Sequence, residues 1–108
     1  MNLIIGTILK EKKRIEYQLE EYRKIIKELP KGTLLGRKGR NGQLYYYLKY
    51  RDAGKVISQY IGKDAGDLPD KIEKRKHIDA MIKLLEEELK IANKALEGNI
   101  WYYIMEAI

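Results

Sequence analysis

Apolar residues recur at helical spacing in two long stretches of the chain. In the first stretch they are three, four or seven positions apart, at Ile8, Ile15, Leu19, Tyr22, Ile26 and Leu29. In the second they alternate between spacings of four and three, at Ile78, Ile82, Leu85, Leu89, Ala92 and Leu96. Such spacing places apolar side chains on one face of an α-helix. We therefore predict two amphipathic helices, over residues 7–29 and 70–97.

The segment between these helices has the alternation and the turn residues of a small β-sheet. Pro30 and Gly32 end the first helix, because proline disfavours the helical conformation in the residue before it. Two turns are predicted beyond them, one at 39–42 around an Asn-Gly pair and one at 52–54. The turns separate three predicted strands, at 33–38, 43–51 and 55–61. The sequence therefore predicts an antiparallel meander over residues 33–62.

The element order α-β-β-β-α predicts an α+β fold in one domain covering residues 1–108. The simplest arrangement pairs the helices antiparallel, with the meander at one end or across one face. The apolar tail, residues 99–108, carries Trp101, Tyr102 and Tyr103 and requires a partner surface, whether as a short helix or as a strand. Because a fold of this size buries limited apolar area, a homodimer through the helical stripes or the tail is an alternative to the monomer.

Composition limits the chemistry that the chain can perform. With no cysteine, the sequence excludes disulfides, thiolate zinc sites and cysteine nucleophiles. His77 stands alone in a basic cluster, and Ser58 has no base in register. The consecutive acids 86–88 point in different directions on a helix and form no ligand set. We therefore expect a protein that is not an enzyme and that uses no metal or cofactor.

The expected location of the protein follows from the lack of a secretory signal and of a membrane-spanning stretch in the sequence. The apolar residues 1–9 precede a basic run instead of following one, which is the wrong order for a secretory signal. No apolar stretch is long enough to span a membrane. We therefore expect a cytoplasmic protein without a membrane partner.

The positive charge is concentrated in the middle third of the chain. The whole sequence carries a net charge of +6, and residues 31–63 hold eight lysines and arginines against a single acid, Asp52. The flanking thirds are nearly balanced or acidic. A segment charged in this way attracts an anionic partner.

Alternation along the second strand divides its side chains between two faces. One face holds Leu44, Tyr46, Leu48 and Tyr50 and is expected to be core. The other holds Tyr45, Tyr47, Lys49 and Arg51, and the neighbouring strands and turns add Arg37, Lys38, Arg40 and Lys55. Cations neutralise phosphates and tyrosine rings stack on bases, so these eight residues are the candidate site for DNA or RNA. An ordinary half-exposed sheet has a similar pattern, but it normally intersperses both signs of charge.

Three runs in and around the meander resemble known proteins. LPKGTL at 29–34, YYYLKYR at 45–51 and GKVISQYIGK at 54–63 are similar to runs in small uncharacterised proteins of Firmicutes and their phages. That resemblance implies a fold without an established activity. The runs also resemble, more loosely, strand modules at the N-termini of some insertion-element transposases. This second resemblance implies DNA contact through Arg37, Tyr45, Tyr47, Lys49, Arg51 and Lys55, in a stand-alone module without the transposase catalytic domain.

A protein-binding role is the alternative function. A phage-encoded inhibitor of a host nucleic-acid-handling defence enzyme, such as an anti-CRISPR, is also small and lacks catalytic groups. Its basic face would meet an acidic patch on that effector protein. Its aromatic tail, with Trp101, Tyr102 and Tyr103, would supply the interface anchor.

Overall fold

Along the chain, one long helix precedes a three-stranded meander and a second long helix follows it. The computed structural model describes residues 3–99, 104, 106 and 107. Its elements are α1 (Leu3–Lys27), β1 (Thr33–Lys38), β2 (Leu44–Asp52), β3 (Lys55–Gly62) and α2 (Leu68–Leu96). The sheet is antiparallel in the order β1-β2-β3. The predicted α-β-β-β-α order and α+β class are therefore confirmed.

The chain divides into two compact units. The helical unit contains the described residues up to Ile26 and from Ile78 onward, and the meander unit contains Lys27–His77. Within the part of the chain that the structure describes, no helix combines the length and the apolar character needed to cross a membrane.

The core of the helical unit consists of the two apolar stripes. In the part of α2 that belongs to this unit the buried side chains are those of the predicted stripe, Ile78, Ile82, Leu85, Ala92 and Leu96, while Leu89 is half-buried. On α1 they are Ile5, Leu9, Ile15 and Leu19. Ile8, predicted for the stripe, is only half-buried. A straight helix has 3.6 residues per turn and drifts away from a strict heptad, so the buried face shifts to other positions near the N-terminus.

Lys12 occupies a position on the buried side of α1 between Leu9 and Ile15. Its side chain is only 12% exposed, and its Nζ lies 3.2 Å from Glu106 Oε1. A lysine can bury its methylene stem along apolar neighbours while its ammonium group reaches a carboxylate. The ion pair joins α1 to the last residues of the chain.

Two ion pairs join α1 to α2 within the helical unit. Arg14 Nη2 lies 3.9 Å from Glu88 Oε2, and Arg23 Nη2 lies 4.0 Å from Glu86 Oε2. The residue further along α1 pairs with the residue earlier in α2. This order of contacts is the one expected of antiparallel segments.

The helix ends differ from the predicted ends by a few residues, for local reasons. α1 ends at Lys27, short of Pro30, because the segment before a proline avoids the helical conformation. α2 begins at Leu68 instead of 70, since proline is tolerated in the first turn, where Pro69 lies. The Asp67 carbonyl accepts a hydrogen bond from Lys71 N–H, which places Asp67 at the N-cap.

Candidate nucleic-acid interface

The register of the sheet assigns each side chain of the meander to one of two faces. Leu35 pairs with Tyr47, and Tyr47 pairs with Tyr60, so these three share a face. We call this surface the tyrosine face; it consists of Thr33, Leu35, Arg37, Tyr45, Tyr47, Lys49, Arg51, Val56, Ser58 and Tyr60. The opposite face consists of Leu34, Gly36, Lys38, Leu44, Tyr46, Leu48, Tyr50, Asp52, Lys55, Ile57, Gln59 and Gly62. The two faces of β2 are therefore those that its alternation predicts.

Burial distinguishes the two faces. Leu48, on the opposite face, is the buried residue of the sheet. On the tyrosine face Arg37, Lys49 and Arg51 are exposed, and Tyr60 retains 56% of its accessible surface. The tyrosine face is therefore available to a partner.

Three tyrosine rings form a cluster on this face. The ring centroids of Tyr47 and Tyr60 are 5.4 Å apart with an angle of 58° between the ring planes. Those of Tyr45 and Tyr60 are 6.5 Å apart at 41°. Tilted arrangements at these distances suit the quadrupoles of aromatic rings. The cluster places the exposed Tyr60 ring beside two half-buried ones.

Tyr60 was not among the residues predicted for the site. The length of the turn before β3 could have identified it, because it fixes the register of the hairpin. Ala53 and Gly54, with φ angles of 50° and 81°, make a two-residue turn. Such a turn pairs Asp52 with Lys55 and, further along the hairpin, brings Tyr60 opposite Tyr47. A bulge lies just beyond, between Tyr46 and Tyr47.

Arg37 joins the aromatic cluster from β1. Its guanidinium carbon lies 5.8 Å from the centroid of the Tyr47 ring, within the range of a cation–π interaction. The backbone of Arg37 pairs with that of Tyr45. A cation is therefore held directly against the aromatic cluster.

The loop between β1 and β2 positions Tyr45. Gly39 N–H donates to the Gln43 carbonyl at 2.8 Å, and Asn41 Oδ1 accepts from Gln43 N–H at 3.0 Å. Asn41 Nδ2 also donates to the Tyr45 hydroxyl at 3.3 Å. A Cβ atom at Gly39 would lie 2.7 Å from Tyr45 Cε2, so glycine leaves the space that the ring occupies.

Several cations of the helices form ion pairs with carboxylates, whereas the cations of the meander form none with a described residue. On α1, a hydrogen bond to Glu11 raises the pKa of Arg14, and the charge of Glu21 raises the pKa of Lys24. None of the eight cations between residues 31 and 63 forms an ion pair with another residue that the structure describes. Within the described part of the chain, no carboxylate therefore neutralises the charge of these cations.

The structure brings five of the eight predicted nucleic-acid-binding residues onto the tyrosine face: Arg37, Tyr45, Tyr47, Lys49 and Arg51. Arg40 lies in the loop between β1 and β2. The register places Lys38 and Lys55 at strand ends on the opposite face.

The predicted interface of the tail, Trp101, Tyr102 and Tyr103, lies outside the described residues. Of the tail residues that are described, Ile104 and Glu106 are helical. Among the described residues, no group of three or more histidine, cysteine or acidic side chains could hold a metal ion.

Comparison with protein families gives a match to the central part of the chain. The family described as "Domain of unknown function (DUF6788)" matches residues 7–74, which include the entire meander. No curated protein and no solved structure matches the chain.

Proposed function

The chain belongs to the DUF6788 family, and we propose that it binds nucleic acid through the tyrosine face of its meander. The observation that carries this proposal is the Tyr45–Tyr47–Tyr60 cluster, in which the Tyr60 ring is exposed and a cation lies over the Tyr47 ring. The family match covers every strand that contributes to this surface.

The tyrosine rings supply the stacking part of the interaction. Bases stack on aromatic side chains whatever their sequence, because every base has a π-face. Tyr60 offers an accessible ring, and its two neighbours lie beside it on the paired strands β2 and β3. Sheet surfaces with aromatic side chains are a recurrent means of contacting unpaired bases.

The cations supply the electrostatic part. Arg37, Lys49 and Arg51 lie on the same face as the rings, and each is exposed. Because no described carboxylate pairs with them, a phosphate does not need to displace an internal partner. Phosphate neutralisation of this kind releases counterions from the nucleic acid and makes the affinity dependent on salt.

The placement of Asp52 supports a binding surface over an ordinary solvated sheet. Asp52 is the single acid of residues 31–63, and its pairing with Lys55 places it on the opposite face. Among the described residues, the tyrosine face therefore carries three cations and no acid. A sheet surface that serves solubility alone normally mixes the two signs.

The test is a charge reversal on the tyrosine face with a matched control. Lys49→Glu combined with Arg51→Glu should abolish binding to short DNA or RNA oligonucleotides, measured by fluorescence anisotropy at low salt. Lys10→Glu combined with Lys13→Glu changes the net charge equally on exposed positions of α1 and should retain most of the affinity.

A salt series on the unsubstituted protein completes the experiment. With about three phosphate contacts to a single strand, the logarithm of the affinity should fall with the logarithm of salt at a slope of about −2. Absence of binding at low salt, or equal losses in the two double variants, would contradict the proposal.

A further inference from the structure

A shallow, open concave surface, which we call the cavity, lies in the meander unit on the opposite face of the sheet. It has a volume of about 460 Å³. From the sheet it is lined by Leu48, Tyr50 and Gln59, whose register positions belong to the opposite face. A volume in this range accommodates a small molecule of the size of a mononucleotide.

The wall of this cavity is the segment between α1 and β1. Leu29 and Pro30 add apolar surface to that of Leu48. Arg75 Nη1 donates a hydrogen bond of 2.6 Å to the Leu29 carbonyl, which fixes the segment and holds the guanidinium at the cavity. At the other end of the segment, Gly32 approaches the backbone of Lys49 closely. The segment that forms the wall of the cavity therefore has a contact at each of its two ends.

The charged side chains among the described residues that line the cavity are all positive. Lys27 and Lys31 are exposed at its rim and Arg75 is partly buried beside them. None of the described residues that line it is acidic. A concave surface lined by cations concentrates anions, while it repels metal ions and amines.

The remaining polar groups suit an organic ligand better than a bare anion. The Tyr50 hydroxyl and the Gln59 amide are able to donate and to accept hydrogen bonds. The Tyr50 ring and the Leu48 side chain provide an apolar floor. Ligand sites typically combine a mostly apolar lining with a few polar groups that orient the ligand.

We propose that this cavity binds a phosphate monoester with an aromatic body, such as a nucleoside monophosphate. Lys27, Lys31 and Arg75 contact the phosphate, and Tyr50 and Leu48 contact the base or the sugar. The phosphate monoester can belong to a free nucleotide or to the 5′ end of a strand. The cavity and the tyrosine face lie on opposite sides of β2, so this inference does not depend on the proposed function.

The test is a titration of the full chain with AMP, followed in ¹H–¹⁵N correlation spectra. Saturable shifts are expected at the amides of the cavity residues, with adenosine producing much weaker shifts because it lacks the phosphate. Lys27→Glu combined with Lys31→Glu should weaken AMP binding by roughly tenfold or more. Lys63→Glu, an exposed cation of the same unit that does not line the cavity, should have little effect.

The double variant of the tyrosine face separates this inference from the proposed function. Lys49→Glu with Arg51→Glu should leave AMP binding unchanged. In that background, 5′-phosphorylated and 5′-hydroxyl oligonucleotides distinguish the two sources of phosphate. Cavity shifts with AMP and with the phosphorylated strand, but not with the hydroxyl strand, indicate that a strand end is accepted. Cavity shifts with AMP but with neither strand indicate a free nucleotide.

Three results would overturn the inference. The first is no saturable shift with AMP up to about 10 mM, well above a millimolar dissociation constant. The second is a set of shifts confined to the tyrosine face. The third is equal affinity for AMP in the Lys27, Lys31 double variant and in the unsubstituted protein.

Discussion

Tyr60 on β3 lies beside Tyr47 on β2, and their ring centroids are 5.4 Å apart. The contact joins residues on two strands that meet through the turn at Ala53 and Gly54. It makes Tyr60 the exposed member of an aromatic cluster on a surface that also carries arginine and lysine.

Tyr60→Ser should weaken binding to a single-stranded oligonucleotide by about 1 to 3 kcal/mol, the usual cost of losing one base–aromatic stack. Since Tyr60 is exposed, the variant should keep its fold, which circular dichroism would verify. Tyr17→Ser is the matched control, because Tyr17 is 65% exposed on α1, away from the meander in sequence. Equal affinities of the Tyr60 and Tyr17 variants would argue against a stacking role.

Single strands should bind more tightly than duplexes of the same sequence and length. Tyrosine rings can stack on the faces of unpaired bases, whereas paired bases in a duplex already stack on one another. Competition between a labelled single strand and an unlabelled duplex measures the preference. Tighter binding of the duplex would instead favour insertion of the sheet into a DNA groove.

The sequence predicts the helices, the strands and the two faces of β2 because each depends on local periodicity. Spacing of three and four residues marks Ile82, Leu85 and their neighbours as a core stripe, and alternation separates Tyr47 from Leu48. Each of these patterns can be recognised from the residues of a single helix or strand. The order of elements follows from the turn residues between them.

The sequence predicts less well the features that depend on which residues of two different elements lie side by side. Tyr60 joins Tyr47 through the exact register of a hairpin, and a shift of one residue would move it to the other face. Lys12 lies on the buried side of α1, where a heptad pattern of apolar residues does not include a lysine. The cavity beside Arg75 depends on a hydrogen bond between residues 46 positions apart.

Leu96→Ala should destabilise the helical unit by about 2 to 5 kcal/mol, because removing a fully buried leucine side chain leaves a cavity. The Leu96 side chain has 0% exposure. Leu84→Ala removes the same atoms from a residue of α2 that is 53% exposed, and its effect should be much smaller. Urea unfolding of both variants provides the comparison. Equal losses of stability would contradict the burial of Leu96.

Gly32→Ala should destabilise the protein strongly, because the backbone at Gly32 has a φ of 120° and an added Cβ would lie 2.5 Å from the Lys49 carbonyl oxygen. The reference is Gly54→Ala, where φ is 81° but no atom lies within 4 Å of the added Cβ. That control should lose only the roughly 1 to 2 kcal/mol typical of a left-handed alanine. Urea unfolding should therefore give a distinctly larger loss of free energy for Gly32→Ala. Because the clash is with the backbone of β2, it cannot be relieved by rotating a side chain. A loss no larger than that of the control would mean that the segment before β1 does not approach β2 this closely.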